Sequence, residues 1–221
     1  MMDKIVHTDR GVTILGAGAV SPPVLAAALR LAPVLVAADG GADTALAEGL
    51  QPAAVIGDMD SLGGDARARF AGRLHSVAEQ DSTDFEKTLL RIEAPFVLGL
   101  GLTGSRLDHG LAALNLIARE PTRRVFLLSG EDVVFLAPPR LDLALPVGTR
   151  LSLFPLAPVA GRSKGLVWPI DGIEFSPLGR IGVSNRSNAA RVCLEFDAPH
   201  MLLILPRDAL AAALAAFDLP L

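Results

Sequence analysis

Along the first half of the chain, short apolar runs alternate with alanine- and leucine-rich stretches of helical spacing. Val12-Leu15 is such a run, closed by Gly16-Ala17-Gly18, and a helical pattern follows over Pro22-Arg30. Val34-Ala38 ends at Asp39-Gly40-Gly41 and leads into a helical Ala42-Glu48, while Val55-Ile56 leads into Gly57-Asp58. Phe96-Leu100 ends at Gly101, and Val125-Ser129 is a further run. Between them, Leu107-Ala118 carries Leu107, Leu111, Leu114 and Ala118 at helical spacing. Continuous apolar strands separated by helices predict a parallel sheet covered on both faces.

The pattern changes near Pro138-Pro139. No helical spacing returns until Arg207-Phe217, and the intervening segments are short and alternating: Arg150-Pro155, Gly165-Ile170, Gly179-Ser184, Arg191-Phe196 and Met201-Leu205. Glycine, proline and asparagine separate them, which predicts a small antiparallel sandwich. The expected fold class is therefore α/β, an N-terminal open parallel-sheet domain over 1–138 followed by a C-terminal antiparallel β-sandwich with a closing helix over 139–221.

Composition narrows the functional classes. Hydrophobic residues make up 51% of the 221 and charged residues 20%, enough for a packed core and against disorder on a domain scale. A formal net charge of −4 gives no basic footprint for nucleic acid. The single cysteine, Cys193, excludes an intrachain disulfide and a cysteine-rich zinc site, and its alternating neighbours read as a strand. The first ten residues carry charges where a secretory leader needs an apolar stretch, and no apolar run approaches the ~20 residues of a membrane helix. A soluble, cytoplasmic protein with no membrane or nucleic-acid partner is expected.

The candidate chemistry lies just beyond the predicted strands, where open α/β sheets bind ligands. Asp58 and Asp60, flanked by Gly57 and Ser61, are spaced to direct two carboxylates the same way, with Gly57 allowing a tight turn. Close carboxylates repel unless a cation lies between them, and Mg²⁺ takes one or two carboxylates plus substrate phosphates. An Asx-type turn with solvated aspartates accounts for the same spacing. Thr83-x-x-Glu86 fits a capping box, a role compatible with Asp84 holding metal or water. Gly101 to His109 is a glycine-bearing loop entering a helix, where backbone N–H groups and Arg106 suit phosphate; an ordinary loop with Asp108 near an N-cap is the alternative. His109 reads as structural or supporting rather than as a base. Gly16-Ala17-Gly18 lacks the third glycine of a dinucleotide fingerprint, since Ser21 and two prolines follow, so a nicotinamide or flavin cofactor is rejected. Trp168, the only tryptophan in a chain without tyrosine, fits either a core or a stacking role.

Taken in order, these segments resemble thiamin pyrophosphokinase. The motifs are Ala38-Asp39-Gly40-Gly41-Ala42, Gly57-Asp58-Met59-Asp60-Ser61, Gln80 through Lys87, Arg106-Leu107-Asp108-His109, Gly165 through Pro169, and Val183-Ser184-Asn185, covering about Leu15 to Leu205. The resemblance implies conversion of ATP and thiamine to AMP and thiamine diphosphate with Mg²⁺. It implies an ATP- and Mg²⁺-binding catalytic domain, a thiamine-binding sandwich, and a homodimer with active sites at the subunit interface. By the same carry-over, Asp58, Asp60 and Asp84 are metal and phosphate carboxylates, and Gln80, Thr83, Arg106 and Asp108 contact the nucleotide. Asp58, Asp60, Asp84, Arg106 and Asp108 form the catalytic set, with Asp84 or Asp108 the candidates for accepting the hydroxyl proton. Trp168, Ser184 and Asn185 hold thiamine, with Asp39 nearby. The chain departs from the family pattern at Asp43, Ser105 and Arg186. Two other readings stay open at this stage: a pyrophosphokinase for another heterocyclic alcohol, such as a hydroxymethylpterin, and a non-catalytic nucleotide or thiamine sensor.

Overall fold

A computed structural model of the chain describes residues 3–104 and 106–219, so Ser105 lies outside the described residues. The chain forms two compact units. The first runs to Leu116 and takes in Leu127–Ser129; the second comprises Ile117–Phe126 and the chain from Gly130 onward.

The first unit contains β1 (Val6–His7), β2 (Val12–Leu15), α1 (Pro22–Leu31), β3 (Val34–Ala38), α2 (Gly41–Ala47), β4 (Ala54–Gly57), α3 (Gly64–Arg69), β5 (Leu74–Ser76), α4 (Asp84–Leu90), β6 (Ile92–Glu93) and β7 (Val97–Leu100). Strands β7, β2, β3, β4 and β5 lie side by side in that order, all parallel, with Val12 opposite both Val34 and Val97. Every residue of β2, β4 and β7 is buried, as a sheet covered on both faces requires. Thr13 is the polar exception, and its hydroxyl donates to the Ala32 carbonyl at 2.7 Å, so no buried group is left open there. Strands β1 and β6 form a separate parallel pair. Helix α1 starts on Pro22-Pro23, where a missing N–H costs nothing.

Helix α5 (Leu107–Arg119) follows, and it turns a different face inward from the one the leucines suggest. Ala113, Leu116 and Ile117 are buried, whereas Leu107 and Leu111 are 75% and 58% exposed. Both stripes repeat at helical spacing, so periodicity does not choose between them.

Strand β8 (Val125–Leu128) follows, and its two halves fall in different units. The second unit continues through β9 (Asp132–Leu136), β10 (Arg140–Ala144), β11 (Arg150–Pro155), β12 (Val159–Lys164), β13 (Glu174–Phe175), β14 (Gly182–Arg186), β15 (Arg191–Phe196), β16 (Met201–Pro206) and α6 (Leu210–Ala215). Two antiparallel arrays result, β14-β11-β16-β9 and β10-β15-β12-β13. Alternating burial along β9, β10 and β15 marks sheets with one packed face. Phe126, Phe135 and Phe217 pack together with ring centroids 5.1–5.7 Å apart. Cys193 sits half-buried in β15 opposite Asp142, whose hydrogen bond, with burial, pushes the thiol up and away from reactivity.

Three expectations need correction. Gly165-Ile170 is a loop, not a strand; Gly165 has φ +82° and Leu166 makes only an isolated bridge to Ser187. The segment read as Gly179-Ser184 is a strand only from Gly182, and Arg207–Ala209 is a 3-10 turn preceding the final helix. Strand β9 pairs antiparallel with β16 from far along the chain, a partnership no local pattern reveals. Among the described residues, no helix is long and apolar enough to cross a membrane.

Candidate active site

Strands β3 and β4 are parallel neighbours, so the residues after their carboxyl ends, Asp39 and Asp58, emerge side by side. Asp39 takes a positive φ of 42° and donates its N–H to the Ile56 carbonyl at 2.9 Å, which ties the two strand ends together. Met59, at φ 71°, turns its side chain down into the apolar cluster of Ala37, Val55, Leu62 and Phe70. Anchoring Met59 leaves Asp58 and Asp60 on the open side of the turn. Carboxylate oxygens of Asp39, Asp58 and Asp60 then lie within 4.8 Å of one another. Gly57 serves here by lacking a side chain: a Cβ would stand 2.7 Å from Cβ of Asp39 and 3.0 Å from Oδ1 of Asp84.

Asp39 is buried. Its Oδ2 accepts from Ser61 N–H at 3.0 Å, while Oδ1 is buried with no hydrogen-bond partner. Burial pushes its carboxyl up; the charges of Asp84, Asp58 and Asp60 add to this, against the pull of the Ser61 bond. Asp58 behaves oppositely. The hydrogen bond from Lys87 holds its carboxyl below the usual carboxylate value.

Lys87 is the residue that sequence reading left without a role. Its side chain is 2% exposed, with Nζ 2.7 Å from Asp58 Oδ2 and 3.4 Å from Asp84 Oδ1. Burial alone would lower the ammonium's pKa, but the Asp58 bond and the two carboxylate charges outweigh it, and the net shift is upward. The signal was present in Asp84-x-x-Lys87, one helical turn apart at the start of α4. Thr83 caps that helix, its hydroxyl accepting from Glu86 N–H at 3.3 Å, as the capping box predicts. Gln80 donates to Asp58 Oδ2 at 3.3 Å.

A cleft opens beside this cluster. Gly16, Gly18, Gly40 and Gly101 line it together with Asp39, Thr83, Asp84 and Arg106. Gly18 N–H donates to the Gly101 carbonyl at 2.9 Å, and Gly101 holds φ +65°, so the Gly-Ala-Gly turn packs backbone against backbone. A plain strand-to-helix turn is what was expected of it. Arg106 pairs with Asp108 through two bonds of 2.6 and 3.2 Å, and both side chains are solvent-exposed. That pairing, first through its hydrogen bond, holds Asp108 below the usual range, which suits it poorly to accept a proton. His109 is exposed and lines the cleft, so it is no core residue. Asp43, one of the departures, accepts from Gly63 N–H at 3.0 Å and braces the loop after Ser61.

Trp168, Ser184 and Asn185 lie in the second unit and border a pocket with Ile173, Phe175 and Arg180. Trp168 is 58% exposed, which removes the core reading. Ser184 has φ 63° and donates its N–H to Ser152 Oγ at 2.9 Å, while Asn185 is buried.

Carboxylates and glycine backbone gathered at the carboxyl ends of parallel strands place the first unit among the open α/β proteins that bind ligands along that edge. Comparison with known proteins narrows this class. The family described as "Thiamin pyrophosphokinase, catalytic domain" matches residues 25–127. Among curated relatives, a thiamine pyrophosphokinase of Arabidopsis thaliana is 26% identical over 66% of this chain and 62% of its own length. A second, from Oryza sativa, is 25% identical over 78% of each. The first of these matches thus spans about six-tenths of the relative's length. Among solved structures, the thiamin pyrophosphokinase of Candida albicans superposes with a TM-score of 0.78 at 15% identity, covering 92% and 93% of the two chains. That of Geobacillus thermodenitrificans gives 0.75 at 22%, covering 89% and 96%. The structural likenesses establish the mixed α/β fold. The family model and the curated relatives are both thiamin pyrophosphokinases, the family that the sequence motifs resemble.

Proposed function

We propose that this chain is a Mg²⁺-dependent thiamine diphosphokinase, transferring a pyrophosphoryl group from ATP to thiamine and releasing AMP. One observation carries the reading. Three carboxylate oxygens lie within 4.8 Å of one another at adjacent strand ends, beside a glycine-lined cleft, and the buried Oδ1 of Asp39 has no hydrogen-bond partner. An all-oxygen, acidic donor set fits a hard cation of this kind. Asp58, Asp60 and Asp84 would hold Mg²⁺ and order the phosphates. Asp39, which the resemblance placed near thiamine, joins the first two on geometry. When bound, the cation neutralises charge on the phosphate oxygens.

The chain's own groups position the reactants, which is most of what such a transfer needs. Lys87 and Gln80 fix the Asp58 carboxylate from two sides. Arg106 turns from Asp108 to the phosphates, where its fork makes bidentate contact. Thr83 retains its O–H for the nucleotide while its oxygen caps α4. Thiamine's hydroxyethyl oxygen bonds to the β-phosphorus as the bond from that phosphorus to the α,β-bridging oxygen breaks and AMP leaves with that oxygen; the hydroxyl proton passes to Asp84 on the cleft wall. Trp168 supplies a flat surface for the heterocycle, with Ser184 beside it.

Residues 1–138 would thus handle ATP and Mg²⁺ and 139–221 thiamine, in a cytoplasmic homodimer whose active sites lie at the subunit interface. The decisive experiment incubates the protein with ATP, Mg²⁺ and thiamine and detects thiamine diphosphate and AMP by mass. Asp58→Asn should abolish AMP formation with an unchanged circular dichroism spectrum; near-normal turnover would sink the metal assignment. A hydroxymethylpterin in the same assay tests the rival acceptor, and saturable binding with no AMP released would identify a sensor.

A further inference from the structure

We infer that Asn185 is a positioning residue that holds Trp168 in place, rather than a ligand of the substrate. Its side-chain Oδ1 accepts from the N–H of Trp168 at 3.2 Å and from that of Arg186 at 2.8 Å, and its Nδ2 donates to the Trp168 carbonyl at 2.7 Å. The orientation of the amide is fixed by these partners, because two donors face the oxygen and a carbonyl faces the nitrogen. An asparagine side chain offers two acceptor sites and two donors, so one N–H remains. Asn185 is also only 6% exposed, against 58% for Trp168. A buried amide so occupied has little left to give a ligand.

What it holds is a loop with no ladder of its own. Leu166 makes an isolated bridge, and beyond it the peptide groups from Leu166 to Ile170 are met chiefly by side chains. Asn188 Nδ2 donates to the Leu166 carbonyl at 2.9 Å, and Ser163 Oγ accepts from Ile170 N–H at 3.0 Å. The Arg186 carbonyl accepts from Val167 N–H at 2.8 Å. Asn185 closes the middle of this set by gripping both peptide groups of the tryptophan. The result is a large aromatic face presented to solvent on a backbone already ordered, which lowers the entropic cost of stacking a flat ligand on it. The turnover consequences rest on the thiamine reading above; the positioning itself does not.

Trp168 is the only tryptophan and the chain has no tyrosine, so intrinsic emission reports this one side chain. The test compares the full-length protein with Asn185→Ala and Asn185→Asp, first free of ligand, then in turnover. In Asn185→Ala, Trp168 emission should move to longer wavelength and its anisotropy should fall. The KM for thiamine should rise about tenfold, the scale of one or two lost hydrogen bonds, with kcat and the KM for ATP within about twofold. Asn185→Asp keeps both acceptor contacts and loses the donated one, so its changes should be smaller in the same direction. A folded Asn185→Ala with unaltered emission and anisotropy overturns the inference; if its thiamine KM nonetheless rises, Asn185 touches the substrate directly. Altered emission with an unchanged thiamine KM upholds the positioning role and removes thiamine from the Trp168 surface. Should the alanine variant fail to fold, unaltered anisotropy in Asn185→Asp overturns the inference by itself.

Discussion

Lys87 and Asp58 form an ion pair in which Nζ stands 2.7 Å from Oδ2, with the two side chains 2% and 12% exposed. The lysine touches the carboxylates of Asp58 and Asp84, which with Asp60 lie near that of Asp39. Removing one partner of such a pair leaves the other charge uncompensated, which costs more than the pair itself contributes. Lys87→Met should therefore destabilise the metal-free protein by about 2 kcal/mol, and Mg²⁺ should restore part of the loss. Urea unfolding of both proteins, with EDTA and then with Mg²⁺, measures this; equal stability of the two in EDTA would contradict it.

Asp39 shows the opposite balance. Burial, then the nearby carboxylates, raise its pKa above the ordinary 3.8. The folded state thus holds this proton more tightly than the unfolded chain does. Its contribution to stability is complete below 3.8 and disappears as pH rises through the raised folded value. Asp58, depressed first by its Lys87 bond, contributes above 3.8 and loses that contribution as pH falls through its lower folded value. Asp39→Asn removes the buried charge, so at neutral pH it should stabilise the metal-free protein by roughly 1 kcal/mol while weakening Mg²⁺ binding. Denaturation in EDTA across about pH 3 to 8 shows the sign; a variant less stable than the parent at neutral pH would refute the argument.

Gly57 gives a steric test of the same cluster. Alanine there places its methyl against Asp39 and Asp84, at 2.7 and 3.0 Å, and the first contact is with a backbone-proximal carbon that cannot swing aside. Gly57→Ala should cost about 1–3 kcal/mol, as overpacking does, and part the carboxylates. Calorimetric Mg²⁺ titration should show weaker binding than in the parent, and an unchanged isotherm would show that the cluster yields without cost.

How far the sequence carried this site depends on which link each residue serves. The apolar runs ending at Ala38 and Gly57 were readable because strands covered on both faces leave no alternation to confuse. They led directly to Asp39, Asp58 and Asp60. The reason for Gly57 was not readable: sequence suggests a tight turn, yet Met59 takes the left-handed φ and Gly57 makes room for two neighbours in space. Lys87 was hidden for a similar cause. A lysine on a short helix reads as solvated, and only the fold reveals that it points at two carboxylates. In the second unit, β9 and β10 passed unnoticed beside Pro138-Pro139, since their partners β16 and β15 lie more than forty residues away. Gly165 to Ile170 reads as one of the short alternating segments; its backbone is instead held by Asn185, Asn188 and Ser163.

Arg106 and Asp108 allow recognition to be separated from stability. Their bidentate pair is exposed on both sides, and surface pairs of this kind contribute little to folding. Arg106 lines the cleft with Thr83, Asp84 and the glycines, so it can exchange Asp108 for a phosphate by rotating its side chain. Lysine at this position keeps the charge but loses the planar fork. Arg106→Lys should leave the melting temperature unchanged and raise the KM for ATP several-fold, on the scale of one charge-assisted hydrogen bond. Thiamine KM should hardly move. Arg106→Ala should weaken ATP further and also lower kcat, since charge on the transferring phosphates would lose a stabilising partner. Steady-state kinetics with each substrate varied in turn distinguishes the cases: equal effects on both KM values would mean that Arg106 shapes the cleft as a whole, and no effect on either would remove it from the nucleotide site.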